Sequence, residues 1–287
     1  MNFLKIIILG LVQGACELLP VSSSAHVIVA EKLMGMDPSS PAMTLLLVML
    51  HTGTMFAVIA FFWDAWRKHY FESREVFLNI AKLVVAATIL TAIVGVALQK
   101  IIEKVFMKGL AKPEVELLFS NLELIAAALF AVGLLIIVAG VFNSRPSRNE
   151  EVGMREACWI GVVQGLCLPF RGFSRSGATI STGLILGSPK QRLEEFSFAL
   201  AVVLTPPVIV KEVHRLRESL KGLPPAQSPG LGHVALPGLF GMACSFIAGL
   251  FALRLLSRWL ERGRWQYFGF YCLAASAVVF FLHTRGY

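Results

Sequence analysis

The sequence Q-G-A-C-E-L-L-P-V-S-S-S-A-H runs from Gln13 to His26 and lies within strongly apolar sequence. It contains an amide, a carboxylate, three consecutive serines and a histidine. Polar and ionisable side chains are costly at membrane depth and usually serve a function there. We therefore interpret this stretch as a candidate functional site inside a membrane.

A second copy of the pattern begins about 151 residues later, where the chain reads V-V-Q-G-L-C-L-P-F-R-G-F-S-R-S-G-A-T. Gln13 corresponds to Gln164, and Cys16 corresponds to Cys167. Each copy reaches a serine-rich turn after a proline. An interval of roughly half the chain indicates an internal duplication with one polar hairpin in each half.

The composition predicts a single integral membrane domain over residues 1–287. Hydrophobic residues make up 56% of the chain and charged residues 15%, whereas soluble domains carry about 25% charged residues. The net charge of +8 comes from basic residues between apolar segments, which is typical of membrane-protein loops and gives no indication of nucleic acid binding. The five cysteines lie in apolar surroundings without a C-x-x-C motif, so we expect neither disulfides nor a cysteine metal site.

Each polar stretch is flanked by apolar segments that are short for a membrane crossing. These segments are 3–19 and 27–34 in the first half, and 157–168 and 178–186 in the second. A helix rises about 1.5 Å per residue, and the hydrocarbon core is about 30 Å thick. We therefore predict two re-entrant helical hairpins whose turns are surrounded by protein or by a watery cavity.

Six longer apolar segments are predicted to be full transmembrane helices. They are 42–63, 76–98, 122–142, 196–210, 236–256 and 267–282, the fourth of them kinked at Pro206-Pro207. The connections 64–75, 100–120, 143–155 and 211–232 are charged or rich in Pro and Gly. The predicted fold class is an all-α polytopic membrane protein.

The two halves, about 1–142 and 156–287, each hold one hairpin and three crossings. Because a hairpin returns to its own side and three is an odd number, the second hairpin must enter from the opposite face. The halves are therefore predicted to form an inverted-topology repeat whose broken elements meet near the midplane. Basic residues are divided almost equally between the two sides, so the positive-inside rule gives no orientation.

Gln13 and Glu17 are four residues apart and therefore share one face of a helix. A carboxylate and an amide oxygen in that arrangement suit a hard divalent cation, Mg²⁺ or Ca²⁺. The alternative is structural, since Gln side chains also form hydrogen bonds between membrane helices. The neighbouring serines and His26 favour the functional interpretation.

Ser22, Ser23 and Ser24 follow Pro20 and precede the second half-helix. In the simplest interpretation they cap that helix. In the alternative, one hydroxyl is a nucleophile or a phosphate ligand that a nearby base activates. His26 lies three residues after Ser23 and titrates near neutral pH, so it is a candidate general acid or base.

The second turn, over residues 172–179, has the composition of an anion-binding site. Its glycines let the backbone approach a ligand, and the following half-helix presents its positive end. Three hydroxyls are available, those of Ser174, Ser176 and Thr179. Arg175 adds a guanidinium suited to phosphate oxygens. In the alternative, which does not exclude the first, Arg175 pairs with Glu17.

Three further polar residues lie in or beside the predicted spans. His51 faces either the same cavity or a neighbouring helix, while Glu123 and Glu195 are predicted at the membrane interface. Together, the carboxylate, hydroxyl, histidine and arginine of the two turns indicate phosphoryl chemistry on an amphiphilic substrate. In such chemistry a metal bridges phosphate oxygens and Arg175 stabilises developing charge.

The motifs G-L-V-Q-G-A-C-E-L-L-P-V-S-S-S-A-H and G-F-S-R-S-G-A-T resemble the two signature motifs of the bacterial undecaprenyl pyrophosphate phosphatases, the bacitracin-resistance family. The resemblance covers almost the whole chain, including E-F-S-F-A-L-A-V. It implies a multi-pass enzyme of the bacterial inner membrane that regenerates the lipid carrier for peptidoglycan and other envelope polymers. It also implies an inverted repeat, two re-entrant hairpins, a divalent cation and a site open to the outer face.

The resemblance also assigns roles to residues at matching positions. Glu17 takes the position of the essential glutamate, Ser23 that of the proposed nucleophile and His26 that of the catalytic histidine. Arg175 takes the position of the phosphate-binding arginine. The implied substrate-binding residues are Gln13, Ser22, Ser174, Ser176 and Thr179, and the implied metal ligands are Glu17 and Gln13.

Three residues depart from the usual pattern of this family. Gln13 stands where Glu is frequent, which removes one anionic metal ligand. Ala25 stands where Gly often precedes the histidine. Arg171 replaces the usual proline before Gly172 and adds either a second phosphate contact or a surface charge.

The expected activity is hydrolysis of undecaprenyl pyrophosphate to undecaprenyl phosphate and inorganic phosphate. The alternative is an inverted-repeat transporter or flippase that binds and moves a phosphorylated lipid without hydrolysing it. Expected partners are a polyprenyl pyrophosphate lipid and membrane lipids, and the sequence leaves open a homodimer. It also leaves open whether Ser23 or a water molecule attacks phosphorus.

Overall fold

A computed structural model of the protein describes residues 3–36, 41–105, 121–143, 147, 150–221 and 231–286. Within these ranges the chain forms ten helices and no strand. The helices are α1 Phe3–Leu18, α2 Ser23–Leu33, α3 Pro41–His69, α4 Arg74–Val105, α5 Leu122–Asn143, α6 Met154–Cys167, α7 Arg175–Leu186, α8 Lys190–Lys221, α9 Leu231–Glu261 and α10 Gln266–Thr284. The predicted all-α class is confirmed.

Six of these helices are long and apolar enough to cross a membrane, as judged over the described ranges by length and composition. They are α3, α4, α5, α8, α9 and α10, which contain the six segments predicted from the sequence. The six predicted segments therefore coincide with the six candidate spans.

The predicted connections are less accurate than the predicted spans. The loop predicted over 211–232 is wrong at both ends, because α8 continues through Pro206 and Pro207 to Lys221 and α9 already begins at Leu231. No Gly or Pro interrupts the sequence between 211 and 221, so good helix formers extend α8 beyond its apolar part. Some parts of the predicted connections lie outside the described residues. They are 106–120, 144–146, 148–149 and 222–230.

The four shorter helices form two pairs, α1 with α2 and α6 with α7. In the first pair, Lys5 Nζ donates a hydrogen bond of 2.6 Å to the carbonyl oxygen of Met34, so α1 begins beside the end of α2. A proline lies between the two helices of each pair. It cannot continue the first helix because it lacks a backbone N–H. After the proline, a serine caps the returning helix: Ser22 accepts from the N–H of Ala25, and Ser174 accepts from that of Gly177.

Small residues allow the first helix of each pair to pack closely on a long helix. α1 packs against α9, and α6 packs against α4. A Cβ atom at Gly14 would lie 2.5 Å from the carbonyl oxygen of Ser245, and one at Gly161 would overlap the backbone of Ala87. Such small residues are the usual means by which membrane helices approach each other. These crossings hold both pairs at fixed positions.

The turns of the two pairs meet inside the protein. The N–H of Gly172 lies 3.4 Å from Ser24 Oγ, and Ser176 Oγ donates to the carbonyl oxygen of Leu19 at 3.2 Å. Residues from the two halves of the chain therefore form a single polar centre.

Glu195 is buried by the protein near the start of α8, and its predicted position at the membrane interface stays a prediction. It is inside α8 and 1% exposed. Its Oε2 atom accepts hydrogen bonds from His69 at 3.0 Å and from Arg192 at 3.5 Å. A buried carboxylate requires such partners, and this one links α3 to α8. Glu123, in contrast, is exposed at the start of α5.

Candidate active site

A cavity of about 520 Å³ lies where the two turns meet. Its polar lining includes Gln13, Glu17, Ser22, Ser23, Ser24, His51, Arg171, Ser174, Arg175 and Ser176. Its apolar lining includes Leu47, Val48, Leu168, Phe170, Val208 and Ile209. Of the nine residues predicted to form the site, seven line this cavity, and the exceptions are His26 and Thr179.

Glu17 is the centre of the polar cluster. Its Oε2 atom accepts a hydrogen bond of 2.5 Å from Ser23 Oγ and one of 3.2 Å from Gln13 Nε2. Its Oε1 atom accepts from Arg175 Nη2 at 3.3 Å. The predicted pairing of Arg175 with Glu17 is therefore present, and it joins the two halves of the chain by an ion pair.

Arg175 retains binding capacity after it has paired with Glu17. Its Nη1 atom is buried and has no hydrogen-bond partner among the described residues. A buried donor without a partner is costly, and such atoms in native proteins often have a functional role. Since this nitrogen belongs to a cavity-lining guanidinium, it suits an anionic ligand in the cavity.

His51 faces the cavity, which was the first of its two predicted alternatives. Its Nδ1 atom lies 2.8 Å from the carbonyl oxygen of Leu47 and must carry the hydrogen, because a carbonyl only accepts. Its other ring nitrogen, Nε2, lies 3.9 Å from Glu17 Oε2.

His26 does not line the cavity, and its ring contacts Tyr271 of α10. Its Nδ1 atom donates to the carbonyl oxygen of Ser22 at 2.8 Å, and its Nε2 atom lies 2.7 Å from the hydroxyl of Tyr271. The two rings stack, with centroids 5.6 Å apart. Its direct role in acid–base chemistry stays a prediction. Tyr271 was missed because no local motif relates a residue in α10 to the first turn.

Ser22 has a backbone φ of 68°, the one positive value at a non-glycine residue in the described ranges. A non-glycine residue in the left-handed region costs of order 1–3 kcal/mol, and such strain is typical of functional sites. The His26 hydrogen bond to the Ser22 carbonyl and the helix cap at Ala25 stabilise this conformation.

Thr179 is fully buried, and its hydroxyl faces helices rather than the cavity. Its Oγ1 atom donates to the carbonyl oxygen of Arg175 at 2.9 Å and lies 2.7 Å from Ser197 Oγ. These contacts fix the start of α7 against α8. A direct contact between Thr179 and substrate stays a prediction.

The second copy of the motif has lost the polar pair of the first. Gln164, the counterpart of Gln13, is buried and donates to Thr91 Oγ1 at 3.0 Å. The residue four positions later is Leu168, which stands where Glu17 stands in the first copy. The duplicated halves therefore contribute different chemistry to one site: α1 supplies the carboxylate, and α7 supplies the arginine.

The fold and the cavity define a polytopic membrane protein with a polar site between two short helix pairs. Within that class, the chain belongs to the family described as "Bacitracin resistance protein BacA", whose sequence profile matches residues 6–278.

Relatives from distant organisms match almost the whole chain. An "Undecaprenyl-diphosphatase 2" of Acinetobacter baylyi is 57% identical over 281 residues, which cover 97% of each chain. An "Undecaprenyl-diphosphatase" of Parabacteroides distasonis is 29% identical, with 97% of each chain covered. One from Korarchaeum cryptofilum is also 29% identical and covers 97% of this chain and 98% of its own.

Proposed function

We propose that this protein is an undecaprenyl-diphosphatase of the bacterial inner membrane. It hydrolyses undecaprenyl pyrophosphate to undecaprenyl phosphate and inorganic phosphate, which recycles the lipid carrier for envelope synthesis. The observation that carries the proposal is the cluster of Glu17, Ser23 and Arg175 in a cavity formed by both turns. The family match and the names of the relatives favour hydrolysis over the transporter alternative.

The proposal includes two re-entrant hairpins in an inverted repeat. One argument is that the helix packing is exchanged between the halves: α1 packs on α9 of the second half, and its counterpart α6 packs on α4 of the first. Another is that three candidate spans follow each hairpin, and three crossings would put the hairpins on opposite faces. Broken elements of this kind meet near the midplane in inverted-repeat membrane proteins.

The cavity suits a diphosphate head group with a long apolar chain. Polar groups cluster at the turns, while Leu47, Val208 and Ile209 belong to its apolar wall. The cavity also reaches Lys32 near the end of α2 and Thr44 near the start of α3, both close to the base of the first hairpin. In the proposal it opens toward that face, the outer one, and the terminal phosphate lies deepest, beside Arg175.

The geometry around Glu17 suits proton removal from a nucleophile. Ser23 Oγ already donates its hydrogen to Glu17 Oε2, so the carboxylate is placed to accept that proton as oxygen attacks phosphorus. A water molecule in place of the hydroxyl would use the same acceptor. In both cases the anhydride P–O bond breaks, undecaprenyl phosphate leaves, and Arg175 neutralises charge on the phosphoryl oxygens. Attack by water releases inorganic phosphate directly, whereas attack by Ser23 leaves a phosphoserine that a water molecule then hydrolyses, which restores the hydroxyl and releases inorganic phosphate.

The donor atoms of the site also fit a divalent cation. Glu17 and Gln13 offer the oxygen ligands that Mg²⁺ and Ca²⁺ prefer, and Mg²⁺ commonly takes its other ligands from substrate phosphates and water. The described residues contain no cluster of three or more His, Cys, Asp or Glu side chains suited to a metal, so substrate oxygens would supply part of the coordination. A bound cation would neutralise phosphate charge; Glu17 and Gln13 would hold it.

The test is phosphate release from undecaprenyl pyrophosphate by the detergent-purified protein with Mg²⁺. Glu17→Gln removes the proton acceptor and should reduce kcat at least about 100-fold. EDTA should abolish release by the wild type. The matched control is Glu123→Gln, which alters an exposed carboxylate outside the cavity and should retain activity. Wild-type activity that persists in EDTA would contradict the cation, and full activity of Glu17→Gln would contradict the site.

A further inference from the structure

His51 lines the cavity, and one of its two ring nitrogens is available for binding. Its Nδ1 atom donates to the carbonyl oxygen of Leu47 at 2.8 Å. In the neutral ring Nε2 therefore carries the lone pair, and within the described ranges this atom makes no hydrogen bond. A backbone carbonyl at one nitrogen and an open second nitrogen is the usual arrangement of a histidine that ligates a metal.

The Nε2 atom of His51 faces the carboxylate of Glu17. It lies 3.9 Å from Oε2, whereas Arg175 pairs with the other oxygen, Oε1. A neutral imidazole nitrogen and a carboxylate oxygen both offer lone pairs, so they attract each other only through a positive group between them. A bound cation supplies that charge, and the alternative is a proton on Nε2.

The distances within this group are short enough for one cation. Two atoms can bind the same cation when they are no farther apart than twice a metal–ligand bond, about 4.2 Å for bonds of about 2.1 Å. His51 Nε2 is within this limit of Glu17 Oε2 at 3.9 Å, and the Gln13 amide is within it at 3.2 Å. The amide of Gln13 can turn so that its oxygen, rather than its nitrogen, faces the cation.

One residue of α9 fixes the position of His51 relative to α1. Ser245 Oγ donates to the carbonyl oxygen of Leu50, the neighbour of His51, at 2.9 Å. A Cβ atom at Gly53 would overlap Ser245 Oγ, and one at Gly14 would lie 2.5 Å from the Ser245 carbonyl oxygen. Both α3 and α1 therefore pack on the same point of α9, so the ligand atoms on these two helices are held together by rigid elements.

We propose that His51 Nε2 is a ligand of the divalent cation that Gln13 and Glu17 bind from α1. This inference rests on the proposed function, in which hydrolysis requires that cation. Mg²⁺ and Ca²⁺ prefer oxygen ligands, whereas imidazole suits first-row transition cations. The nitrogen of His51 therefore makes the site more favourable for such cations than oxygen ligands alone would make it.

The test is binding of Mn²⁺ alone to the detergent-purified protein, without substrate and after removal of any histidine tag. Mn²⁺ is paramagnetic, so electron spin echo spectroscopy detects an imidazole nitrogen that is bonded to it. The wild type should show this nitrogen signal. His51→Gln should lose the signal and raise the Kd for Mn²⁺ about tenfold or more, since one ligand is lost.

Ca²⁺ provides a comparison within the same variant. The Kd of His51→Gln for radioactive Ca²⁺ should change less than about threefold, because Ca²⁺ takes oxygen ligands and the new amide also offers one. The matched control is His283→Gln, which replaces an exposed histidine near the end of α10, outside the cavity lining. This control should keep the nitrogen signal and the wild-type Kd for Mn²⁺.

His51→Glu distinguishes a ligand from a structural residue. It places a carboxylate where the imidazole was, so it should lose the nitrogen signal but bind Mn²⁺ within about threefold of the wild type. It should also bind Ca²⁺ more tightly than the wild type does. A merely structural role of His51 would not give this recovery. If His51→Gln does not purify as a folded protein, His51→Asn replaces it with the same expected result.

Three results would overturn the inference: no nitrogen signal from the wild type with Mn²⁺, a signal that persists in His51→Gln, or an unchanged Kd for Mn²⁺ in that variant. The first result would favour a proton on Nε2. Phosphate release by the wild type is measured separately. Cation-dependent release without the nitrogen signal refutes this inference alone. Mn²⁺ bound through His51 in a wild type that releases no phosphate refutes the proposed function and keeps the metal ligand.

Discussion

At the scale of single residues, the site depends on one carboxylate with three donors around it. Gln13, Ser23 and Arg175 all donate to Glu17. The first two were predictable as neighbours, since Gln13 is one turn away and Ser23 follows at the first turn. Arg175 is 158 positions away, so its contact with Glu17 was only one of two alternatives in the sequence.

Tyr271 is predicted to be a positioning residue for His26. Tyr271→Phe removes the hydroxyl that contacts His26 Nε2 at 2.7 Å, and one hydrogen bond contributes about 1 kcal/mol. We expect kcat for phosphate release to fall roughly fivefold, with KM unchanged because neither ring lines the cavity. Steady-state kinetics on purified protein test this.

The matched control for this prediction is Tyr267→Phe. Tyr267 lies one turn earlier on α10, is 52% exposed and contacts Trp259 and Phe270 through its ring. The Tyr267→Phe variant should retain wild-type kcat. A normal kcat in Tyr271→Phe, or an equal loss in both variants, would remove the positioning role from Tyr271.

At the scale of elements, close helix crossings locate the turns. α6 approaches α4 so closely that a Cβ at Gly161 would overlap the Ala87 backbone. Thr91 reinforces this crossing, since its Oγ1 atom donates to the Gly161 carbonyl oxygen at 3.0 Å and accepts from Gln164. In the second copy of the motif, the glutamine thus serves helix packing, whereas the turn supplies the arginine of the site.

Gly161→Ala should destabilise the protein through this crossing. The added methyl group meets backbone atoms that cannot rotate away, and overpacking costs typically about 1–3 kcal/mol. We expect thermal unfolding in detergent to shift down by several degrees. The control is Gly238→Ala in α9, where a Cβ meets only the flexible side chain of Met49. Equal unfolding temperatures for the two variants would contradict a rigid α4–α6 crossing.

At the scale of the whole molecule, three candidate spans lie between the base of the first hairpin and the start of the second. In the proposed topology all three cross the membrane, so these two points lie on opposite faces. The cavity extends toward the first of them, through residues near the end of α2 and the start of α3. The proposed outward opening of the site and the inverted topology are therefore testable together.

Cysteine labelling of intact cells should show the two hairpin bases on opposite sides. In an active variant that lacks the five native cysteines, Met36→Cys should react with a membrane-impermeant maleimide from outside. Glu150→Cys should react only after permeabilisation. Glu72→Cys, which precedes α4 and lies one crossing from Met36, is the control and should behave as Glu150→Cys does. Reaction of Met36→Cys and Glu150→Cys from the same side would refute the inverted topology.

The sequence by itself determined the helical class, the six candidate spans and the seven predicted residues that line the cavity. Apolar length is a local property, and the polar groups of each turn are neighbours along the chain. Only the tertiary structure decided which face each polar side chain presents: it directs His26 toward Tyr271, Thr179 toward Ser197 and His51 toward Glu17. These contacts join residues on different helices, and their geometry depends on helix packing, which no local pattern encodes.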